Sequence, residues 1–210
     1  VAVKYSKVRF LNCSVEQPYS SIRSYYGRFY EAQFIAGAIA GAMACNDRIG
    51  YIASFPVFGE LASINAFALG AQMTNPRAQI ELKWACVEGF PQTELLADGI
   101  RIVSTQNASS ELNACSTNGT YLINDTGEMI PLGTHIWNWG KFYEYAIKEI
   151  LSGGMKKEKN SPMALNYWLG LDSGVIGMDI SARLPQGVRQ MANLLYVAVK
   201  RGYIDPFGRK

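Results

Sequence analysis

The chain has 210 residues, of which 49% are hydrophobic and 18% are charged, and its formal net charge is +3. This composition is typical of a folded globular protein and excludes an intrinsically disordered chain. The one dense basic run, at 156–159, is typical of a solvated turn, so the charge pattern does not indicate nucleic-acid binding.

Apolar runs and cysteine spacing exclude two further classes. The longest nearly uncharged stretch, 34–45, is shorter than the ~20 residues that a transmembrane helix needs. The four cysteines are far apart and the chain has one histidine, which excludes a zinc site of the usual spacing. We therefore expect buried, reduced thiols, no metal and no cofactor. Because residues 1–7 include neither an initiator methionine nor the apolar core of a signal peptide, we expect a piece of a longer protein.

Apolar periodicity and turn residues predict strands that alternate with helices. The predicted strands are 7–15, 49–53, 79–87, 100–104, 120–124, 128–132, 166–170 and 174–178, and the predicted helices are 21–44, 59–73, 92–97, 139–151 and 185–201. The alternation predicts an α/β fold with a mainly parallel sheet flanked by helices. Asn124–Gly127 predicts a hairpin turn, and the Gly37–Gly41 spacing predicts a helix that packs closely on the sheet.

Several motifs follow one another along most of the chain. They are Tyr25-Tyr-Gly-Arg-Phe-Tyr-Glu-Ala, Gly37-Ala-Ile-Ala-Gly-Ala-Met, Arg48-Ile-Gly-Tyr-Ile-Ala, Ile64-Asn-Ala-Phe-Ala-Leu-Gly-Ala, Asn75-Pro, Trp137-Asn-Trp-Gly-Lys-Phe-Tyr, Asn166-Tyr-Trp-Leu-Gly and Gly174-Val-Ile. In these motifs the chain resembles the basic membrane protein family, the PnrA-like substrate-binding proteins of nucleoside ABC transporters.

The resemblance implies a type I periplasmic-binding-protein-like fold, in which two Rossmann-like lobes close by a hinge around a ligand. It makes residues 1–20 the last strand of a largely absent first lobe and the crossover from it. Residues 21–160 are then the second α/β lobe, and 161–210 are a return segment with the C-terminal helix. The implied function is non-enzymatic binding of a small solute, a purine nucleoside or nucleobase, for an ABC-type uptake system, with the ABC permease as a further partner.

A narrower resemblance leaves a second function open. Arg9-Phe-Leu-Asn-Cys-Ser, Asn46-Asp-Arg-Ile-Gly, Asp205-Pro-Phe and the short segment 87–94 are similar to a clostridial-type subgroup without an export signal. That subgroup implies an intracellular ligand-sensing or regulatory module and a cytoplasmic location, whereas the wider family implies a membrane-anchored extracytoplasmic protein. Exposed cleft surfaces on such a piece also predict a dimer.

An enzyme is the third class considered. His135 is the single histidine, and a hydrolase would have to pair it with Cys86 or Cys115. Nothing in their spacing supports such a pair, and neither a Gly-x-Ser-x-Gly motif nor a phosphate-binding glycine loop is present. We therefore expect no catalysis.

Candidate ligand-binding residues follow predicted strands, because ligands of α/β sheets bind beyond the carboxyl ends of the strands. A nucleobase needs flat apolar faces and a few polar partners. The candidates are Trp137, Asn138 and Trp139, Phe55 and Phe58, Gln106 and Asn107, and Tyr167 and Trp168. The resemblance places the Trp137–Trp139 loop at the cleft, with Trp139 as the first choice for stacking.

Each aromatic set also has a structural alternative. One tryptophan can be part of the core with the other as its cover, the two phenylalanines can seat the next helix, and Tyr167 with Trp168 can cover the sheet. Asp125 is not taken as the acidic ribose ligand of the family, because it lies in the predicted hairpin turn.

Overall fold

The computed structural model describes residues 2, 4–5, 7–14, 22–57, 59–87, 91–106, 118–152 and 167–208. Its strands are β1 Phe10–Cys13, β2 Ile22–Gly27, β3 Arg48–Ala53, β4 Gln79–Trp84, β5 Ile102–Thr105, β6 Gly119–Ile123, β7 Met129–Trp137, β8 Tyr167–Leu169 and β9 Ile176–Ile180. Its helices are α1 Tyr30–Met43, α2 Glu60–Thr74, α3 Pro91–Ala97, α4 Trp139–Leu151 and α5 Gln186–Lys200.

The chain divides into two compact units, each made of two separate segments. The small unit comprises Val1–Arg28 and Trp137–Ile176, and the large unit comprises Phe29–Ile136 and Gly177–Lys210. The division at 1–20, 21–160 and 161–210, which the resemblance implies for the lobes of the family, stays a prediction.

The small unit is built on a three-stranded parallel sheet in the order β1-β2-β8. Helix α4 supplies Phe142 and Ala146 to a core that they form with Tyr25 of β2 and Val175. The rings of Tyr25 and Phe142 are stacked with centroids 4.3 Å apart. Burial of these aromatic faces is what holds the helix on the sheet.

The predicted helix 21–44 is wrong over its first residues, because 22–27 form strand β2. The register pairs Ile22 with Phe10 on one side and Tyr25 with Tyr167 on the other. Isoleucine and tyrosine are strand formers, and two neighbouring strands satisfy the backbone groups that a helix would otherwise pair. The helix begins only at Tyr30.

The large unit is built on a six-stranded sheet in the order β4-β3-β5-β6-β7-β9. Strand β3 is parallel to both β4 and β5, while β6 is antiparallel to β5 and β7. The predicted α/β class with a mainly parallel sheet is confirmed. The predicted hairpin is also confirmed, since Asn124 Oδ1 accepts hydrogen bonds from the backbone N–H groups of Thr126 and Glu128, and Gly127 has a φ of 81°.

Helices α1 and α2 approach each other through glycines. A Cβ atom added at Gly37 would overlap the carbonyl oxygen of Phe67, and one at Gly70 would overlap the carbonyl oxygen of Phe34. The close packing predicted for the Gly37–Gly41 spacing is therefore present, but against a helix and not against the sheet. Helix α1 is buried over most of its length, which explains why its sequence is apolar nearly all round.

The expectation of buried thiols is wrong for Cys13, Cys45 and Cys86, which are free and exposed. Cys13 is the last residue of the edge strand β1 and Cys45 lies just beyond the end of α1, positions that tertiary packing leaves open. Cys115 lies outside the described residues.

We expect Gly37→Ala and Gly70→Ala each to destabilise the protein. The added methyl group meets backbone atoms that cannot move aside, and overpacking of this kind costs about 1–3 kcal/mol. Gly187→Ala is the matched control, because Gly187 lies in α5 and a Cβ there meets nothing within 4 Å. The control should gain about 0.5–1 kcal/mol from helix propensity. Urea denaturation measures all three, and equal gains in all three would contradict the close helix contact.

Candidate functional site

The carboxyl ends of β3 and β5 lie side by side in the large unit, because the two strands are parallel neighbours. The antiparallel strands bring the start of β6 and the end of β7 to the same edge, where Gly119 pairs with Thr105 and with Thr134. Residues that follow β3 and β5 therefore converge at one edge of the sheet. This strand-end edge is where a ligand binds in α/β folds.

Gln106 lies at the strand-end edge, and the carbonyl oxygen of its side-chain amide is fixed by hydrogen bonds. Its Oε1 accepts hydrogen bonds from Gln33 Nε2 of α1 at 3.0 Å and from the hydroxyl of Tyr51 in β3 at 2.9 Å. All three residues are buried. The Nε2 group of Gln106 makes no hydrogen bond within the described residues. That end of the amide is the one left for a further hydrogen bond.

Phe55 supplies an aromatic ring to the same edge. It lies two residues beyond β3 and its side chain is 58% exposed. A ring that exposed is not seating the helix that follows, which argues against the structural alternative for Phe55. Phe58 and Asn107, the other candidates of these loops, lie outside the described residues.

Glu60, the first residue of α2, is a buried carboxyl group that sequence reasoning did not single out. It is 3% exposed, and its Oε1 has no hydrogen-bond partner among the described residues. Burial raises the pKa of Glu60 to about 7. Burial, and then the negative charge of Glu60, hold the pKa of the Tyr51 phenol well above its ordinary value, so Tyr51 stays protonated.

His135 has a packing role. Its ring lies on β7 with its centroid 5.0 Å from that of Phe29, and the residue is 6% exposed. Burial lowers the pKa of the imidazole to about 4, so the ring is neutral at physiological pH. Sequence reasoning ended β7 at 132, whereas the strand runs on to Trp137 and carries His135 towards the strand-end edge.

The candidates of the small unit are packed against one another. The rings of Trp137 and Trp139 are stacked at 4.9 Å, and Trp139 contacts the ring of Tyr25 edge-on at 5.4 Å. A Cβ added at Gly27 would overlap the Trp137 ring. Asn138 donates its backbone N–H to the carbonyl of Val175 and its Nδ2 to that of Gly174. These contacts favour the packing alternative for the loop, and its ligand role stays a prediction.

The two candidates in β8 differ in exposure. Tyr167 is half-buried with its ring 5.4 Å from that of Phe142, so it packs on the core of the small unit. Trp168 is 43% exposed, and its carbonyl accepts a hydrogen bond from Arg28. The structure thus brings together Gln106 and the buried polar residues of the large unit, while the tryptophan and β8 candidates belong to the small unit.

Comparisons with known proteins bear on the family. Residues 1–88 match the model of the ABC transporter substrate-binding protein PnrA-like family. The resemblance predicted from the motifs is confirmed. A purine-binding protein of Brucella abortus is 26% identical over 99% of the chain, and a Haloferax volcanii protein named as a candidate ABC transporter glucose-binding protein is 27% identical over 85%. The chain spans 61% and 47% of the length of these two relatives.

Solved structures support the fold. A solute-binding protein of an ABC transporter system from Conexibacter woesei matches 97% of the chain, and 73% of its own chain, with a TM-score of 0.64 at 14% identity. One from Aeropyrum pernix covers 98% and 72% with the same TM-score at 15% identity. A transcriptional activator of the comK gene from Bacillus halodurans covers 98% and 75% with a TM-score of 0.75 at 16% identity. The predicted periplasmic-binding-protein-like fold is thereby confirmed.

Two absences apply to the described part of the chain alone. None of its helices is long and apolar enough to cross a bilayer. Its histidine, cysteine and acidic side chains form no cluster of three that could hold a metal ion.

Sequence reasoning found Gln106 but missed Gln33 and Tyr51, which hold its amide, and the buried Glu60. Gln33 is a polar residue inside the apolar run of α1, and Glu60 is the acidic residue that opens α2 after a strand-end loop. Both are signals that could have been used, since a polar residue in an apolar helix is either paired or functional. Nothing local marks Tyr51, because a tyrosine in a strand is ordinary.

Glu60→Gln should change how stability depends on pH. The pKa of Glu60 is higher in the folded protein, about 7, than the ordinary 4.5, so the folded state holds the extra proton between these values. The contribution of Glu60 to the free energy of unfolding is therefore complete below pH 4.5 and is lost as pH rises through 7. At ~1.4 kcal/mol per pKa unit, the rise from 4.5 to about 7 corresponds to a contribution of about 3 kcal/mol, which Glu60→Gln should lack. Urea denaturation between pH 4.5 and 8 measures this, with the exposed Asp125→Asn as the control that should follow the wild type.

His135→Gln should remove a dependence of stability on pH that has the opposite sign to that of Glu60. Burial lowers the pKa of His135 from 6.5 to about 4. Between these pH values the imidazole is protonated in the unfolded chain and neutral in the folded protein. Stability contributed by the neutral ring is full above pH 6.5 and is lost as pH falls towards 4. Between pH 4.5 and 6.5 the Glu60 and His135 effects cancel in the wild type, and each single variant should expose the slope of the other. Parallel pH profiles for wild type and both variants would contradict the burial of these groups.

Proposed function

We propose that the protein is the small-solute-binding component of an ABC-type uptake system and that its solute is a purine nucleoside or nucleobase. The observation that carries this is that an exposed aromatic ring, Phe55, and the held amide of Gln106 follow two neighbouring parallel strands at one strand-end edge. A ring offers a face for stacking and an amide offers one directional hydrogen bond, which is what a flat heterocycle with polar edges requires. The match to the substrate-binding family and the purine-binding relative support the choice of solute.

The mechanism we propose is closure of two lobes around the solute, with an ABC permease as the partner that receives it. Phe55 stacks on the base and Gln106 binds its edge. The remaining proposed contacts are Phe58, Asn107, Trp137, Asn138, Trp139, Tyr167 and Trp168. No catalytic step is proposed, since the matched family consists of substrate-binding proteins.

Two other functions receive less support. Sugar binding is the second candidate, because one relative is named for glucose and because aromatic rings with amides also bind sugars. An intracellular regulatory module is not favoured, because the match to a transcriptional activator, at 16% identity, is evidence for the fold alone.

The test is a thermal-shift panel of purine nucleosides, nucleobases and glucose on the full-length protein, followed by calorimetry. A purine at 100 times its Kd should add ~2.7 kcal/mol of stability. Phe55→Ala should weaken purine binding by about 1–3 kcal/mol, the usual contribution of base stacking. Leu69→Ala, which also shortens an exposed apolar side chain of the large unit, is the matched control and should bind like the wild type.

The outcomes separate the candidates. A shift with glucose and none with purines would replace the purine proposal by sugar binding. A flat panel would contradict solute binding, and purine affinity that is unchanged in Phe55→Ala would remove the strand-end edge as the site.

A further inference from the structure

In the side-chain amide of Gln106, Oε1 is hydrogen-bonded within the described part of the protein and Nε2 is not. Oε1 accepts hydrogen bonds from Tyr51 and Gln33, so the left-over end is the Nε2 group, which can donate and cannot accept. The three side chains come from β5, β3 and α1, elements that pack together within the large unit. The orientation of the amide is therefore set by tertiary contacts and not by the loop in which Gln106 lies.

Tyr51 decides this orientation. Its hydroxyl group is deeply buried and donates to Gln106 Oε1 at 2.9 Å, the one acceptor it has within the described residues. Turning the Gln106 amide over would put an NH₂ group against the hydroxyl and leave the phenolic hydrogen without an acceptor in a buried position. Burial, with the charge of Glu60, keeps the phenol protonated by holding its pKa well above the ordinary value, so the donor persists across physiological pH. Gln33 adds a second donor on the same oxygen.

We propose that Tyr51 and Gln33 are positioning residues that fix Gln106 as a hydrogen-bond donor, so that the bound purine presents a carbonyl oxygen to it. The inference rests on the proposed function and narrows its substrate class to 6-oxopurines, such as hypoxanthine and guanine, over 6-aminopurines, such as adenine. A 6-amino group in the same position would also be a donor, so it could not accept the hydrogen bond from Gln106 Nε2. A binding site whose donor has a fixed orientation discriminates against such an analogue, because the donor is left without a hydrogen-bond acceptor.

The test compares Kd values for hypoxanthine and adenine, measured by calorimetry at one pH on the full-length protein. We expect the wild type to prefer hypoxanthine by about tenfold or more, the effect of one directional hydrogen bond. Tyr51→Phe frees the amide to turn over and should reduce this preference to about threefold or less. Gln33→Leu removes the second donor and should reduce it by a smaller factor. A general loss of stability weakens both bases alike, so the ratio of the two Kd values isolates positioning from structural damage.

Two further variants sharpen the test. Gln106→Glu keeps the contacts to Tyr51 and Gln33 but presents an acceptor to the solute, so the preference should reverse towards adenine. Thr74→Val is the control, because it removes the hydrogen bond from Thr74 Oγ1 to the carbonyl of Ala38 at the other end of α2 and should leave the ratio unchanged.

The outcomes distinguish a failure of the positioning role from a failure of the proposed purine-binding function. If the wild type binds both bases equally, or if Tyr51→Phe keeps the wild-type ratio, the positioning role is overturned while purine binding stands. If the wild type binds no purine at all, the proposed function fails, and the inference fails with it.

Discussion

The close contact between α1 and α2 is the constraint on which the large unit depends. Gly37 and Gly70 let the backbones of the two helices touch, which places α1 over β5 and α2 over β3. The position of α1 sets Gln33 against Gln106, and the position of α2 sets Phe67 against the ring of Tyr51 at 5.0 Å. A helix pair held apart by one methyl group would separate the residues that hold the strand-end amide.

Polar groups are buried at this edge at a free-energy cost that packing elsewhere has to offset. Burial disfavours the charged forms of both Glu60 and His135: it raises the pKa of Glu60 to about 7 and lowers the pKa of His135 to about 4. Folded proteins retain such groups where they serve a function or where every hydrogen bond is satisfied. Hydrogen bonds join Gln33, Tyr51 and Gln106, while Oε1 of Gln33 and Oε1 of Glu60 are buried without a partner among the described residues.

Both units have aromatic rings in their cores, but Phe55 of the large unit is an exception. In the small unit Tyr25, Phe142 and Trp139 contact one another and make up much of its core. In the large unit Phe55 is exposed beyond a strand end, where a ring does little for stability. We propose the exposed ring of Phe55 as part of the binding site, whereas a cluster of stacked rings is the pattern of a core.

The sequence by itself determined the α/β class, the hairpin at Asn124–Gly127, the bounds of α4 and the family resemblance, because helix periodicity, turn residues and motif order are local signals. It also marked Phe55 and Gln106 as strand-end residues. Only the tertiary structure decided that 22–27 form a strand, that three cysteines are exposed, and that Gln33 and Tyr51 both donate to Gln106. Strand pairing, burial and the orientation of an amide depend on residues tens of positions apart, and no local pattern in the chain encodes which of them come into contact.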